Sequence, residues 1–396
     1  MTDRNRRPDI LWIVTTQWRA QATGYGGDPN ARTPHLDALA ARSVNYSQAI
    51  TPHPFGPFAR AALLTGVPSP QNGVRDYFDP LPQGSRTIAQ TLAGRGYHTA
   101  FFGKWHLGDR DRFAPLVGEA HARTLVPVAK RGGFHEWEGF EGGFLLNNPW
   151  LHGSLEYPLP VQVNGYQSEI LVDRILKWQT GRRQDEVAPW FAVLSLEAPH
   201  PPYDAPANGV PPRSPDSIVL RANVSRGGAE EVKARRELAG YYAHIEATDA
   251  AIGRLVKALP ESVLVVFTSV HGDMHGSHGL FRKGWPYEES VRVPLLVRGA
   301  PSTSGMSLVC PDPVSLLDLP AMTQAWSDGL PWRCLRQDAA ISMPSVVSLT
   351  HQCDRAWQGR RSATGKVVTT AQGDAWMEFD LIEDPFEQHN LAPRGQ

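Results

Sequence analysis

The chain has 396 residues, with 40 acidic against 39 basic side chains and a formal net charge of −1 at pH 7. That length exceeds one minimal core and points to a large domain plus a smaller one, set here at 1–325 and 326–396. The charge balance leaves no electrostatic footprint for nucleic acid, and no run approaches the ~18 apolar residues of a membrane span, so neither is an expected partner.

The first apolar stretch, Ile10 to Val14, is too short for a signal-peptide core and reads as a strand, which makes the chain cytoplasmic by expectation. Arg4, Arg6 and Arg7 read as a solvated basic start. Cys310, Cys334 and Cys353 are odd in number and widely spaced, which suits reduced thiols better than a disulfide frame or a zinc site. In chain order, 9–16 reads as a buried strand and 36–42 and 85–93 as helices. Strand 97–102, helix 168–180, strand 190–197, helix 237–259 and strand 262–269 follow. The alternation argues for an α/β sandwich around a large, mostly parallel sheet. The stretches 108–165 and 201–225, rich in Pro, Gly and aromatics, read as long loops over one edge. Beyond 325 the segments shorten, and 366–370 and 375–379 predict a small C-terminal antiparallel sheet.

In open α/β sheets ligands gather beyond the carboxyl ends of the strands. Here those ends carry Thr16-Gln17, Lys104-Trp105-His106, His200 and Val270-His271. Alternation sets Lys104 and His106 on one side if extended geometry persists past Gly103. In His53-Pro54-Phe55-Gly56-Pro57-Phe58-Ala59-Arg60, Pro57 suits the first turn of a helix with Gly56 near its N-cap. That helix start would aim N–H groups at the crevice. Arg60 lies one turn in, and Lys283 follows another glycine-rich loop. A lone lysine would be a solvated side chain and a lone histidine a structural one, but these groups converge from distant segments. Together they predict a cationic pocket for a small anionic molecule, with Thr16, Gly56, Arg60, Lys104 and Lys283 binding it. His106, His200 and His271 are the candidate acids and bases.

Gly56-Pro57-Phe58-Ala59-Arg60 followed by Ala61-Ala62-Leu63-Leu64-Thr65-Gly66 resembles the sulfatase signature. So do Pro8-Asp9-Ile10-Leu11-Trp12-Ile13-Val14-Thr15, Gly103-Lys104-Trp105-His106-Leu107-Gly108, Glu197-Ala198-Pro199-His200 and the run from Val266 through Lys283-Gly284 to Ser290. The chain is thereby similar, almost end to end, to the sulfatase family of the alkaline phosphatase superfamily, which implies an alkaline-phosphatase-like sandwich. In that family the position of Gly56 holds a nucleophile matured to formylglycine, and a metal-ligating aspartate stands where this chain has Thr16. The family's later Asp-His or Asp-Asn pair of metal ligands corresponds to Val270-His271, and Ser277 stands where relatives often carry an acidic residue. Only His271 survives of the four anchors, and one imidazole does not hold a cation that takes six or more oxygens. The expectation is therefore a degenerate member with no metal and no cofactor.

A sulfatase needs an activated oxygen nucleophile, a metal and an acid. Thr16, Thr51 and Ser269 are alternative hydroxyls without an evident base. Three readings stay open. One is a repurposed enzyme using metal-independent acid/base chemistry on a small anion. Another is a non-catalytic binding module or partner subunit, in a homo- or hetero-oligomer. The third is a sulfuric ester hydrolase with a rebuilt site.

Overall fold

The computed structural model describes residues 7–182, 188–301, 308–347, 349 and 352–393, so Arg4 and Arg6 of the basic start lie outside the described residues. The strands run β1 (Ile10–Thr15), β2 (Val44–Ile50), β3 (His98–Lys104) and β4 (Glu136–Phe140), then a short antiparallel pair, β5 (Trp150–Leu151) and β6 (Val161–Gln162). Next come β7 (Trp190–Ser195), β8 (Leu264–Ser269), β9 (Leu295–Arg298) and β10 (Val309–Ser315). The main sheet has eight strands in the order β10-β2-β9-β8-β1-β7-β3-β4. Only β9 runs against its neighbours.

The helices are α1 (Pro34–Ala40), α2 (Gly56–Thr65), α3 (Ile88–Ala93), α4 (Glu119–Ala122), α5 (Gln167–Gly181), α6 (Ala229–Ala258), α7 (Glu288–Val291) and α8 (Leu319–Ser327). Two layers cover the sheet because its central strands are apolar on both faces. Leu11 and Ile13 of β1 pack in one cluster with side chains of α1, α5 and α6. Ile10, Trp12 and Val14 pack in another with α2, α3 and α8. That is the two-residue period of a strand read out as two cores. Trp12 also donates its indole N–H to Thr323 of α8 at 3.1 Å, satisfying a polar group that the core would otherwise strand.

The expected strands and helices are present, with shifted ends. The helix expected over 237–259 starts at Ala229, and the helix at 85–93 starts at Ile88, capped by Thr87. The stretch 108–165 is not only loop, since β4 within it pairs in parallel with β3. Strands β2, β9 and β10 had no counterpart among the expected elements.

The C-terminal antiparallel sheet holds β11 (Asp338–Met343), β12 (Trp357–Ser362), β13 (Gly365–Thr370) and β14 (Ala375–Asp380) in sequence order. Helix α8 crosses residue 325, and the small sheet begins at Asp338. Its inward residues Ile341, Met343, Trp357, Val368 and Phe379 join the same cluster as Ile10 and Trp12. Among the described residues no helix is long and apolar enough to cross a membrane. All three cysteines are free thiols.

Candidate functional site

Strands β8, β1, β7 and β3 are adjacent and parallel, so their carboxyl ends share one edge of the sheet. Thr16, Lys104, His200 and His271 follow from those ends, and with Gly56, His106 and Lys283 they line a cavity of about 720 Å³. The convergence expected from distant segments is present for these seven.

Arg60 is placed differently. Its guanidinium donates to the Lys104 carbonyl at 3.0 Å, Ser195 Oγ at 2.7 Å and Thr16 Oγ1 at 2.8 Å. It stands behind the cavity and ties three strand ends together, since a buried planar donor fork finds its acceptors where parallel strands terminate. Burial lowers its pKa to about 10, partly offset by Glu197 and Glu141.

The extended chain does not persist past Gly103. Gly103 has φ +108, with Ser195 O 2.1 Å from where a Cβ would sit, so only glycine fits. His106 is left-handed at φ +58. The Trp105 and His106 amides bond the carbonyls of Phe140 and Glu141. This turn, rather than strand alternation, brings Lys104 and His106 to the same cavity.

The two cavity lysines have unlike partners. Lys104 Nζ donates to Glu197 Oε1 at 2.6 Å, with both side chains buried, and lies 4.6 Å from the centre of the Phe144 ring. Burial lowers its pKa to about 8, against the pull of Glu197. Lys283 Nζ bonds neutral acceptors, Gln17 Oε1 and His200 Nε2, the latter at 2.9 Å. Burial first, and the charge of Lys104 next, hold it well below an ordinary lysine. Gln17 is oriented by donating to Asp273 Oδ2 at 2.5 Å and Tyr203 Oη at 3.1 Å.

The imidazoles are also buried. His200 Nδ1 donates to the Pro201 carbonyl at 2.8 Å and its ring stacks on Phe144 at 4.5 Å. His271 Nδ1 donates to the Gly272 carbonyl at 2.9 Å, leaving Nε2 unpartnered. His106 Nε2 meets Tyr77 Oη at 3.4 Å, and its unpartnered Nδ1 faces Gly56. Burial lowers the pKa of all three well below the ordinary value, and nearby cations add to it. A neutral imidazole can accept a proton, and a lysine brought to about 8 can donate one near neutral pH.

Helix α2 begins at Gly56 itself, with Phe55 as N-cap and Pro57 in the first turn. The Thr16 hydroxyl donates to Leu196 O at 2.9 Å, Thr51 Oγ1 to His53 O at 3.1 Å and Ser269 Oγ to backbone carbonyls of Thr15 and His271. None of these hydroxyls is poised against a base. Among the described residues no three His, Cys, Asp or Glu side chains gather as a metal set.

Sequence reasoning overlooked Glu197, Gln17 and Phe144 as site residues. Glu197 was legible in part, because a charged lysine at a buried strand end is stabilised by a nearby carboxylate. Phe144, left-handed at φ +54 in the loop after β4, carried no local signal.

The sulfatase family model matches residues 8–321. The chain is 32% identical over 426 residues to an ulvan-active sulfatase of Formosa agariphila, covering 100% of this chain and 79% of that protein. It is 27% identical to a choline-sulfatase of Rhizobium meliloti, covering 98% and 83%. The yidJ protein of Bacteroides fragilis superposes with a TM-score of 0.82 at 22% identity, covering 99% of this chain and 92% of that one. The phosphonate monoester hydrolase of Agrobacterium radiobacter superposes with a TM-score of 0.74 at 20% identity, covering 97% and 91%. These likenesses establish the shared fold, and with the matched family model and the first relative, the chain belongs to the sulfatase family of the alkaline-phosphatase-like superfamily.

Proposed function

We propose that this sulfatase-family chain binds a small anionic molecule in the cavity beyond β1, β3, β7 and β8. It transforms that molecule by acid/base chemistry that uses neither a divalent metal nor a formylglycine. The observation carrying this reading is the floor of the cavity, where Lys104 and Lys283 stand among three neutral imidazoles with Glu197 as the paired carboxylate.

The residues at the family's reactive positions do not fit the two groups that its chemistry implies. Gly56 has no side chain to mature, and a Cβ there would lie 2.9 Å from His106 Nδ1. Val270 is apolar and packed in the core, and the Thr16 oxygen is held by Arg60 and Leu196. A hard divalent cation needs an oxygen-rich shell. In this reading Lys104 holds the anion and supplies a proton, Arg60 keeps the strand ends in register beneath it, and His106 or His271 takes a proton from the substrate.

Sulfate titrated calorimetrically into chelator-treated protein is the test. One site is expected, weakened about ten-fold or more in Lys104→Met by loss of a charge-assisted hydrogen bond. Metal-stimulated turnover of 4-nitrophenyl sulfate, or no sulfate heat at all, overturns the reading.

A further inference from the structure

Lys283 differs from every ordinary buried lysine in what it touches. Its two hydrogen-bond partners, Gln17 Oε1 and His200 Nε2, are both neutral acceptors. His200 must accept, because its Nδ1 donates to the Pro201 carbonyl. Gln17 must accept through Oε1, because its amide nitrogen donates to Asp273 and Tyr203. An ammonium has three N–H groups and no lone pair, whereas a neutral amine has two N–H groups and one lone pair. Two fixed acceptors match the amine, and the remaining lone pair belongs to a side chain that lines the cavity. An unpaired buried ammonium would also carry a heavy desolvation cost.

We propose that Lys283 is an amine nucleophile that forms an imine with a small anionic aldehyde or ketone, such as a 2-oxo acid, whose carboxylate faces Lys104. This deepens the anion-binding reading and rests on it for the carboxylate. The Nζ lone pair attacks the carbonyl carbon and the C=O π pair moves to oxygen. His200 Nε2 takes one N–H proton and passes it to that oxygen, and the second N–H proton follows. The oxygen leaves as water and the C=N bond forms, so both amine hydrogens depart with the carbonyl oxygen and nothing is oxidised or reduced. Burial and the neighbouring Lys104 charge push Lys283 well below an ordinary lysine, in the direction of the amine, while Asp273 and Glu197 act the other way and Arg282 acts with Lys104. Burial lowers Lys104 as well, to about 8, but leaves it a cation at neutral pH beside Glu197.

The test is incubation of the full chain with glyoxylate and cyanoborohydride at pH 7, followed by peptide mass spectrometry. Carboxymethylation of Lys283 is expected more than about ten-fold faster than at any other lysine, because ordinary lysines are ~0.04% free amine there. His200→Ala is expected to slow it, and inorganic sulfate to protect it. Labelling no faster at Lys283 than at surface lysines overturns the imine proposal, and if sulfate still binds by calorimetry the anion reading stands. Selective labelling of Lys283 without sulfate binding or protection keeps the amine and removes the anion reading.

Discussion

Two buried clusters of charge sit in this molecule, and they are built in opposite ways. Where the C-terminal sheet meets the main domain, Glu288 receives Arg361 at 2.9 Å and Lys366 at 2.9 Å, and Lys366 also meets Glu387 at 2.6 Å. The Glu288 amide donates to Glu387 at 2.7 Å and Lys366 to the Pro286 carbonyl at 2.8 Å. Burial pushes the Glu288 carboxyl up, but Lys366 and Arg361 more than offset this and hold it far below the usual range. In the cavity, by contrast, Lys104 has one carboxylate and Lys283 has none as a hydrogen-bond partner. Equal burial with matched charge joins the two sheets, whereas the cavity leaves Lys283 with neutral partners only beside open volume.

The largest effect separating the two should come from removing a lysine at each. Lys366→Met strands Glu387 and half of Glu288 and should cost about 3–5 kcal/mol. Lys283→Met removes no ion pair but leaves Gln17 Oε1 and His200 Nε2 without that donor, and should cost about 1–3 kcal/mol. Urea unfolding of both variants measures the difference, and equal losses would break the comparison.

Next in size is the pH response of the cavity. Sulfate prefers the protonated form of Lys104, so binding takes up a proton and weakens as pH rises through about 8, where burial has brought that lysine. At the limit the loss is about ten-fold per pH unit. Calorimetry from pH 7 to 10 measures it, and Lys104→Arg should flatten the decline because a guanidinium stays charged. Affinity that rises with pH would contradict the assignment of Lys104.

The smallest effect is expected at Gly56. A Cβ in Gly56→Ala meets only the His106 ring, at 2.9 Å from Nδ1 and 3.2 Å from Cε1. The imidazole yields and the helix gains from losing a glycine, so stability should change by no more than about 1 kcal/mol. A thermal melt checks this, and a larger loss would mean that His106 is clamped against Gly56.

Much of the fold is legible in the amino-acid order alone. Strands β1, β7 and β8 are apolar on every residue or nearly so, a pattern that only a doubly covered strand needs. Two of the strands that sequence pattern does not reveal, β10 and β4, lack that character. β10 contains Pro311 and Pro313 and a register shift between Cys310 and Pro313, and β4 alternates Glu136 and Glu138 with Trp137. Both lie at sheet edges, where neighbours rather than intrinsic preference decide the strand.

The order of apolar runs and turns was sufficient for the fold class, and the identity of the strand-end residues was sufficient to list Thr16, Lys104, His200 and His271. Partnership was not, because it joins residues far apart in the chain, as Lys104 to Glu197 or Lys283 to Gln17. Whether a lysine is an ion or an amine depends on the desolvation and hydrogen-bond geometry that packing supplies. That is why Arg60 moved from cavity wall to strand-end brace, and why the neutral partners of Lys283 came into view, only once the chain was folded.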